Sequence, residues 1–534
     1  MLRDARTVSA GAPIRADVCI VGAGAAGITL ARRLSGTRLE VALVEGGGLE
    51  FDADTQSLYR GENVGAPYFL LDTCRMRQFG GSTNHWHGLL GQLDDQDFAE
   101  REWIPHSGWP FTRAELEPYY EGARDVFGLG NQPFDVTAWE DRGERSRLPL
   151  GERLSHTVAL FSPPVRFGHR YRDELVASSN VTVYTFANVT ELVTDEDARR
   201  VTSARVACLD GPRFTLEAGA FVLACGGVEN ARLLLLSNAV VPRGLGNQHD
   251  LVGRFFMEHP MKHAGIFHPA DPTLSLELYA QPSFGPVMVQ AGLVPSRKVQ
   301  EERRLARVSL LLMPVRAKAS AGRDGRAISE LAGDALGRGE GPSLRDRQVR
   351  DGLEGVRTVA LRGAGTAPRA AGRARYEHVV VLARGEQIPN PESRVTLSPE
   401  RDALGSRRVR LDWRLVADDK RSARETLDIL TEALGAAGLG RMKYTIIEDD
   451  ASWLPPRDRW PWAGPLGANH HMGTTRMADD PKRGVVDANA RVHGVENLYV
   501  AGSSVFPTSG HTPPTMTLVA LALRLADHLR ERLL

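Results

Sequence analysis

The sequence predicts an α/β fold whose central parallel sheet is assembled from separate segments of the chain. Three junctions between a short apolar run and a glycine predict it, near residues 22, 226 and 502 of the 534-residue chain. Short apolar runs rich in β-branched residues are typical of buried strands. Because these junctions lie at the start, middle and end of the sequence, we expect the fold to gather them in one domain.

The first junction carries the most specific pattern. A strand at 18–21 ends in Gly-Ala-Gly-Ala-Ala-Gly at 22–27, a helical pattern follows, and a second strand at 41–44 ends in an acidic residue. In this G-x-G-x-x-G pattern the first glycine permits a tight turn, the second lets a pyrophosphate approach, and the third lets helix and strand pack closely. The helix N-terminus offers N–H groups to the phosphate, and a carboxylate about 20 residues further on accepts a ribose hydroxyl. The sequence therefore predicts a Rossmann-like dinucleotide site at Gly22, Gly24, Ala25, Ala26, Gly27 and Glu45.

The other elements follow along the chain. Residues 50–100 show little periodicity, which is typical of a functional loop or lid. Helical patterns occupy 113–127, 229–236, 420–437 and 515–533. Strand patterns occupy 181–184, 202–209, 214–217, 220–225, 376–384, 394–397, 408–415 and 498–500. The range 316–375, rich in Arg, Gly and Ala, predicts a variable insertion.

These elements suggest two domains. We place a discontinuous cofactor domain at 14–264 and 464–534, and a substrate domain at 265–463. This arrangement buries a cofactor between the two.

Composition narrows the possible partners. The 66 basic and 66 acidic side chains give no net charge, and so no support for a nucleic-acid or anionic-membrane partner. The four cysteines are scattered, so neither a disulfide framework nor a metal site is indicated. No apolar run approaches the roughly 20 residues of a spanning helix, and the first residues lack a secretory apolar core. The sequence thus predicts a cytoplasmic protein without a membrane span.

Four further motifs carry a family resemblance. They read Phe-Gly-Gly-Ser-Thr-Asn-His-Trp at 79–86, Gly-Asn-Gln-His-Asp-Leu-Val-Gly-Arg at 246–254, His-His-Met-Gly-Thr-Thr-Arg-Met at 470–477, and Asn-Leu-Tyr-Val-Ala-Gly-Ser-Ser-Val-Phe-Pro-Thr at 497–508. In this order they resemble the glucose–methanol–choline family of flavin oxidoreductases, in a bacterial branch with pyranose 2-oxidase-like features. The resemblance covers nearly the whole chain. It implies FAD, a substrate domain on an antiparallel sheet, and oxidation of an alcohol by hydride transfer to flavin N5.

The resemblance also implies a catalytic base. His470 matches the family's H-x-x-G-T pattern, which Gly473 and Thr474 complete. An imidazole titrates near neutral pH, so it can accept the hydroxyl proton. The adjacent His471 is expected to point elsewhere.

The second catalytic position departs from the family. Relatives place His or Asn shortly after Phe-Pro-Thr, whereas Pro513 stands there in this chain. Proline has no side-chain donor and no backbone N–H. Three alternatives stay open: His511 replaces the missing group, His470 works alone, or the protein has left ordinary alcohol oxidation for non-oxidative, lyase-like chemistry. A catalytically inactive FAD-binding scaffold is a further alternative, against which the intact His470 motif argues.

The remaining predicted cofactor contacts also come from the resemblance. His85 resembles the histidine that carries a covalent flavin in pyranose 2-oxidase-like members, and the alternative is a histidine that packs near the ring. The other predicted contacts are Gly80, Gly81, Ser82, Asn84, Val189, Ala224, Gly226, Gly502, Pro513 and Thr515.

The expected partner is a small-molecule substrate, an alcohol or a sugar. The sequence leaves the electron acceptor open among oxygen, a quinone and a protein.

Overall fold

The computed structural model describes most of the chain. The described residues are 1–9, 13–140, 145–163, 165–284, 287–316, 375–444 and 467–534. The predicted insertion at 316–375 therefore lies, apart from its two end residues, outside the described residues.

The strands and helices are numbered in chain order. The strands are β1 (Leu2–Asp4), β2 (Ile14–Val21), β3 (Val41–Val44), β4 (Gly61–Asn63), β5 (Leu89–Leu90), β6 (Leu154–Phe161), β7 (Val181–Thr185), β8 (Asn188–Thr194), β9 (Val201–Ala207), β10 (Arg213–Leu223), β11 (Met261–Pro269), β12 (Ser283–Phe284), β13 (Val287–Pro295), β14 (Val308–Arg316), β15 (Tyr376–Gly385), β16 (Arg394–Arg401), β17 (Arg407–Asp412), β18 (Gly440–Tyr444) and β19 (Leu498–Val500). The helices are α1 (Ala25–Leu34), α2 (Ala53–Ser57), α3 (Asp95–Phe98), α4 (Arg113–Phe127), α5 (Phe167–Arg170), α6 (Arg172–Ala177), α7 (Gly226–Leu236), α8 (Arg297–Arg303), α9 (Ala417–Ala436) and α10 (Thr515–Leu533).

The first sheet is mostly parallel and draws on distant parts of the chain. Its order is β1-β7-β3-β2-β10-β9-β8, and β19 pairs with β10. Strands β2, β3 and β19 are almost wholly apolar where they pair, since Val18–Val21, Val41–Val44 and Leu498–Val500 are buried. Such strands are covered on both faces, as parallel sheets require. The three predicted glycine junctions therefore lie side by side, at the carboxyl ends of β2, β10 and β19.

Helices cover this sheet. The terminal helix α10 packs against both α1 and α4, and α7 packs against β8. Helix α10 buries residues at helical spacing, such as Leu521, Leu525 and Leu529. The predicted helix ranges 113–127 and 515–533 are confirmed to the residue. Helix α7 begins three residues before the predicted range, at Gly226.

The second sheet is antiparallel. Its order is β18-β11-β15-β14-β13-β6-β5, and β12 pairs with β13. Strands β5 and β6 lie within the range 14–264 that the sequence assigned to the cofactor domain, so the chain enters this sheet earlier than expected. The reason is long-range pairing: β6 aligns with β13 from Leu154 opposite Pro295 to Phe161 opposite Met288, a partner about 130 residues away in sequence. The domain boundaries themselves stay a prediction.

A third, smaller sheet combines strands from distant parts of the chain. Its order is β16-β17-β4, so the segment 61–63 of the predicted loop region adds a parallel strand to a later hairpin. Among the described residues, none of the helices is both long and apolar enough to cross a membrane.

Candidate active site

The turn between β2 and α1 is built on close backbone contacts. Gly22 has φ +103°, and a Cβ there would lie 2.6 Å from the carbonyl oxygen of Ala224. A Cβ on Gly27 would lie 1.9 Å from the carbonyl oxygen of Gly22. A Cβ on Gly24, in contrast, would meet no heavy atom of the described residues within 4 Å. The first and third glycines thus close the turn, while the second faces open space.

Glu45 stabilises this turn through its side chain. Its carboxylate accepts hydrogen bonds from the backbone N–H groups of Ala23 at 2.9 Å and Gly47 at 2.8 Å. Burial raises the pKa of the Glu45 carboxyl, and the two N–H donors oppose that shift. A carboxylate has further acceptor capacity, so a ribose hydroxyl can still bind to it.

The segment at 80–85 lies directly on the glycine turn. The N–H of Gly80 donates to the carbonyl of Ala23 at 2.8 Å, and a Cβ on Gly81 would lie 3.0 Å from the Cα of Gly24. A 3₁₀ turn at Gly81–Asn84 follows, with Ser82 exposed and His85 half-buried.

The other two junctions present open glycines at the same edge. Gly226 has φ +87° and Gly502 has φ +107°, and a Cβ on either would meet no heavy atom of the described residues within 4 Å. The strands are held in register, because the N–H of Ala224 donates to the carbonyl of Val21 and that of Ala501 to the carbonyl of Leu223, each at 2.7 Å. Three open glycines therefore meet at the ends of three neighbouring strands.

The remaining predicted cofactor contacts lie on elements that lead to this edge. Val189 is in β8, two residues after Ala187, whose N–H donates to the carbonyl of Glu45 at 2.8 Å. Pro513 is buried just before α10, and Thr515 is the first residue of that helix.

The segment that carries His470 is bonded to two of these junctions. The hydroxyl of Thr474 donates to the carbonyl of Gly227, and that of Ser503 donates to the carbonyl of His471 at 2.6 Å. Gly473 in the same motif approaches another segment closely, since it has φ +82° and a Cβ there would lie 2.2 Å from the carbonyl oxygen of Phe255. The motif is thus held beside the neighbours of Gly226 and Gly502.

His470 pairs with a second histidine. Its Nδ1 lies 2.7 Å from Nδ1 of His259. His259 is fully buried, and its Nε2 lies 2.9 Å from the carbonyl oxygen of Gly510 and 3.3 Å from that of Ser509. Burial lowers the pKa of His259 to about 3 and holds the pKa of His470 well below its usual value, so both rings are neutral.

Glu258 positions both histidines. One carboxylate oxygen accepts from the backbone N–H of His470 at 2.6 Å and of His259 at 3.0 Å. The other accepts from the hydroxyl of Tyr68 and the N–H of Ala468, each at 2.9 Å. Burial raises the pKa of this carboxyl to about 7, against the four donors. The carboxylate therefore ties two distant chain segments together at the site.

His511 lies in the same cluster. It is buried, and its Nδ1 has no hydrogen-bond partner among the described residues, while its backbone carbonyl accepts from Nε of Arg384 at 2.9 Å. Burial and the charges of Arg307 and Arg384 hold the pKa of His511 well below its usual value. An unpartnered buried ring nitrogen is costly unless a ligand pairs with it.

The other two histidines differ in surroundings. His471 points away from His470, since its Nε2 lies 3.7 Å from Sγ of Cys74 and its ring packs on Tyr68 and Phe256. Burial lowers the pKa of His85 to about 4, and Arg166 adds to the shift.

Comparisons with known proteins identify the family of this chain. A family model described as FAD dependent oxidoreductase matches residues 17–307, and one described as GMC oxidoreductase matches residues 389–522. The chain belongs to the FAD-dependent oxidoreductases, in their glucose–methanol–choline branch. The resemblance seen in the motifs is confirmed.

Relatives match over nearly the full chain. A 6'''-hydroxyparomomycin C oxidase from Streptomyces lividus is 27% identical over 96% of this chain and 92% of its own length. The fructose dehydrogenase large subunit from Gluconobacter japonicus is 24% identical over 96% of this chain and 97% of its own length. Among solved structures, pyridoxine 4-oxidase from Mesorbium loti has a similar fold, with a TM-score of 0.55, 20% identity, and coverage of 96% of this chain and 99% of that one.

The residues present fit FAD. Gly24, Gly226 and Gly502 leave room where a side chain would otherwise project, at the carboxyl ends of parallel strands where dinucleotides bind. The N-terminus of α1 offers its N–H groups to a pyrophosphate there.

Sequence reasoning missed two polar residues of the site. Glu258 and His259 stand outside the motifs from which the sequence predicts a site. Their contact with His470 spans 211 residues of sequence, which no local pattern reveals. The polar Glu-His-Pro triplet at 258–260, a few residues after the Gly-Arg motif, was the available signal, because loops often carry functional residues.

Proposed function

We propose that the protein oxidises a hydroxyl group on a sugar, a polyol or a natural product, with FAD bound at the glycine edge. The relatives named 6'''-hydroxyparomomycin C oxidase and fructose dehydrogenase large subunit support this substrate class. When bound, FAD supplies a ring that takes up two electrons and the hydrogen of the substrate carbon.

In this proposal His470 is the base. Its Nε2 receives the hydroxyl proton while the O–H bond breaks and the carbon–oxygen double bond forms. The observation that carries the proposal is the attachment of the His470 segment to Gly227 and Ser503, next to two open glycines. A base must lie within hydrogen-bond reach of the proton that it removes, and the attachment of this segment beside the glycine edge supports that role for His470.

His511 is the proposed second polar group. Its unpartnered Nδ1 is buried within the same cluster, and Pro513 offers no donor of its own. A donor there would hold the substrate oxygen as negative charge develops on it.

Anaerobic mixing with sugars, polyols and aryl alcohols tests the proposal. We expect at least one substrate to bleach the oxidised flavin band of the wild type. His470→Ala should slow that reduction by about 10²–10⁴-fold, the usual contribution of a general base, with flavin content unchanged. His511→Ala should slow it by about 10²–10³-fold, the usual cost of one donor to an oxyanion.

Other outcomes separate the alternatives. Conversion of a substrate without any flavin bleaching favours lyase-like chemistry. Bound flavin that no substrate in the panel reduces or consumes favours an inactive scaffold. Unchanged reduction in His511→Ala leaves His470 working alone.

His85 is proposed as a point of covalent flavin attachment. The lowered pKa of its ring keeps the imidazole neutral, so a ring nitrogen could bond to a flavin carbon in place of a hydrogen, with the two electrons released passing to the enzyme's electron acceptor. After acid precipitation of the wild type, yellow colour in the pellet is expected, and it should move to the supernatant in His85→Ala. Colour in the wild-type supernatant would rule out the bond.

The individual cofactor contacts and the electron acceptor are also proposals. The remaining predicted cofactor contacts can be tested by flavin content after substitution. Reoxidation of the reduced enzyme by oxygen, a quinone or an acceptor protein identifies the electron acceptor. The cytoplasmic location stays a prediction.

A further inference from the structure

The contacts of His259 and His470 determine which of their ring nitrogens bear hydrogen. A backbone carbonyl can only accept a hydrogen bond, and Nε2 of His259 faces the carbonyl oxygens of Gly510 and Ser509 at 2.9 and 3.3 Å. This nitrogen must therefore bear the hydrogen. In a neutral imidazole the other nitrogen, Nδ1, is then an acceptor.

The same reasoning gives the position of the hydrogen on His470. Nδ1 of His470 lies 2.7 Å from Nδ1 of His259, and two acceptors at that distance would repel. Nδ1 of His470 must therefore bear a hydrogen and donate it. The remaining nitrogen of His470, Nε2, then carries the free lone pair, which is the form that a base requires.

We propose that His259 is a positioning residue that sets the tautomer of His470, so that Nε2 of His470 is the proton acceptor in the reaction. This inference rests on the proposed function for its catalytic meaning, but the tautomer is a property of the chain itself. In this chain of hydrogen bonds, Nδ1–H of His470 donates to Nδ1 of His259, and Nε2–H of His259 donates to the carbonyls of residues 509 and 510.

The surroundings of His259 favour its neutral form. The ring is fully buried, Arg384 lies near it, and Glu258 is engaged by four other donors. The carboxylate of Glu386, whose charge also acts on the ring, is paired with Arg101 at 2.5 Å. When Nε2 of His470 takes up a proton, its Nδ1–H still donates to the neutral Nδ1 of His259. This hydrogen bond disperses the new positive charge although no carboxylate pairs with the ring.

Nitrogen NMR of the FAD-loaded protein, labelled only at histidine, tests the tautomer directly. The signals of His470 are assigned by their loss in His470→Gln. We expect Nδ1 of His470 to bear hydrogen and Nε2 to be bare, with the reverse at His259. A hydrogen on Nε2 of His470 in the wild type overturns the proposal. This readout needs no substrate, so it holds or fails independently of the proposed reaction.

A matched pair of variants tests the consequence. Asparagine places an oxygen near the position of Nδ1, whereas glutamine reaches the position of Nε2 but leaves Nδ1 without a substitute. We expect His259→Asn to keep the tautomer of His470 and most of the rate of flavin reduction. His259→Gln should lose both, with a rate about 10²-fold lower or more. Equal rates in the two variants, with an unchanged His470 spectrum, contradict the proposal even where His470→Ala is inactive.

His493→Gln is the control. Nε2 of His493 also lies 2.9 Å from a backbone carbonyl, that of Ala478, but the ring is outside the site. Flavin content, reduction rate and the His470 spectrum should all equal those of the wild type. A fall in the His493→Gln rate equal to that in His259→Gln would assign the effect to general disruption and overturn the positioning role.

Discussion

Single residues decide which atoms can approach the cofactor edge. Gly24 and Gly27 are three residues apart in one motif, yet their surroundings differ. A Cβ on Gly27 would strike the carbonyl oxygen of Gly22, whereas one on Gly24 would project into open space. We therefore expect the fold to require Gly27 and FAD binding to require Gly24.

This difference predicts opposite phenotypes for the same substitution. Gly24→Ala should change the free energy of unfolding of flavin-free protein by less than about 1 kcal/mol, as for a helix N-cap. It should weaken FAD binding about tenfold or more, or about 1.4 kcal/mol. Gly27→Ala should lower the free energy of unfolding by about 1–3 kcal/mol through overpacking. Urea unfolding and flavin titration measure the two effects, and equal unfolding in both variants would contradict the assignment.

At the scale of elements, buried ion pairs connect the antiparallel sheet to α3 and to the loop that follows it. Arg101 pairs with Glu386, the residue after β15, at 2.5 Å, and Arg307, the residue before β14, pairs with Asp97 at 3.0 Å. Burial raises the pKa of Asp97 to about 7, and the neighbouring Arg307 opposes the shift. The cluster aligns the ends of β14 and β15 with the segment that also carries a hydrogen bond to Thr508, near the active site.

Breaking one of these pairs should destabilise the protein strongly. Arg101→Met leaves the carboxylate of Glu386 buried, which is expected to cost about 3–5 kcal/mol. The matched variant Arg153→Met removes an exposed pair with Glu432 and should cost less than about 1 kcal/mol. Chemical denaturation of both variants checks the contrast. Similar losses of unfolding free energy in the two variants would contradict the inference that Arg101→Met leaves a buried, unpaired carboxylate at Glu386.

At the scale of the whole molecule, histidine burial couples stability to pH. Burial lowers the pKa of His85 and His156 to about 4, and that of His259 and His471 to about 3. The pKa values of His470 and His511 also lie well below normal. Since an unfolded histidine titrates near about 6.5, the unfolded chain binds protons below that pH that the folded chain does not.

Stability should therefore fall as the pH is lowered from about 6.5 to 4, by up to about 1.4 kcal/mol per pH unit for each such histidine. Four buried carboxyls oppose this trend, since their pKa values are raised and they favour the folded state at acid pH; they are Glu45, Asp97, Glu258 and Asp419. Six histidines against four carboxyls leave net acid destabilisation. The melting temperature of the FAD-loaded protein should be lower at pH 5 than at pH 7, and an equal or higher value would contradict the prediction.

The sequence by itself determined the glycine turn at 22–27, the helices at 113–127 and 515–533, the family and the cofactor. The turn and the helices follow from local spacing and periodicity, and the family and the cofactor follow from the resemblance that four short motifs carry. The tertiary structure decided the placement of β5 and β6, the pairing of His259 with His470, and the role of Glu258. Each of those depends on contacts between segments more than 50 residues apart, and side-chain hydrogen bonds over such separations leave no periodic trace in the sequence.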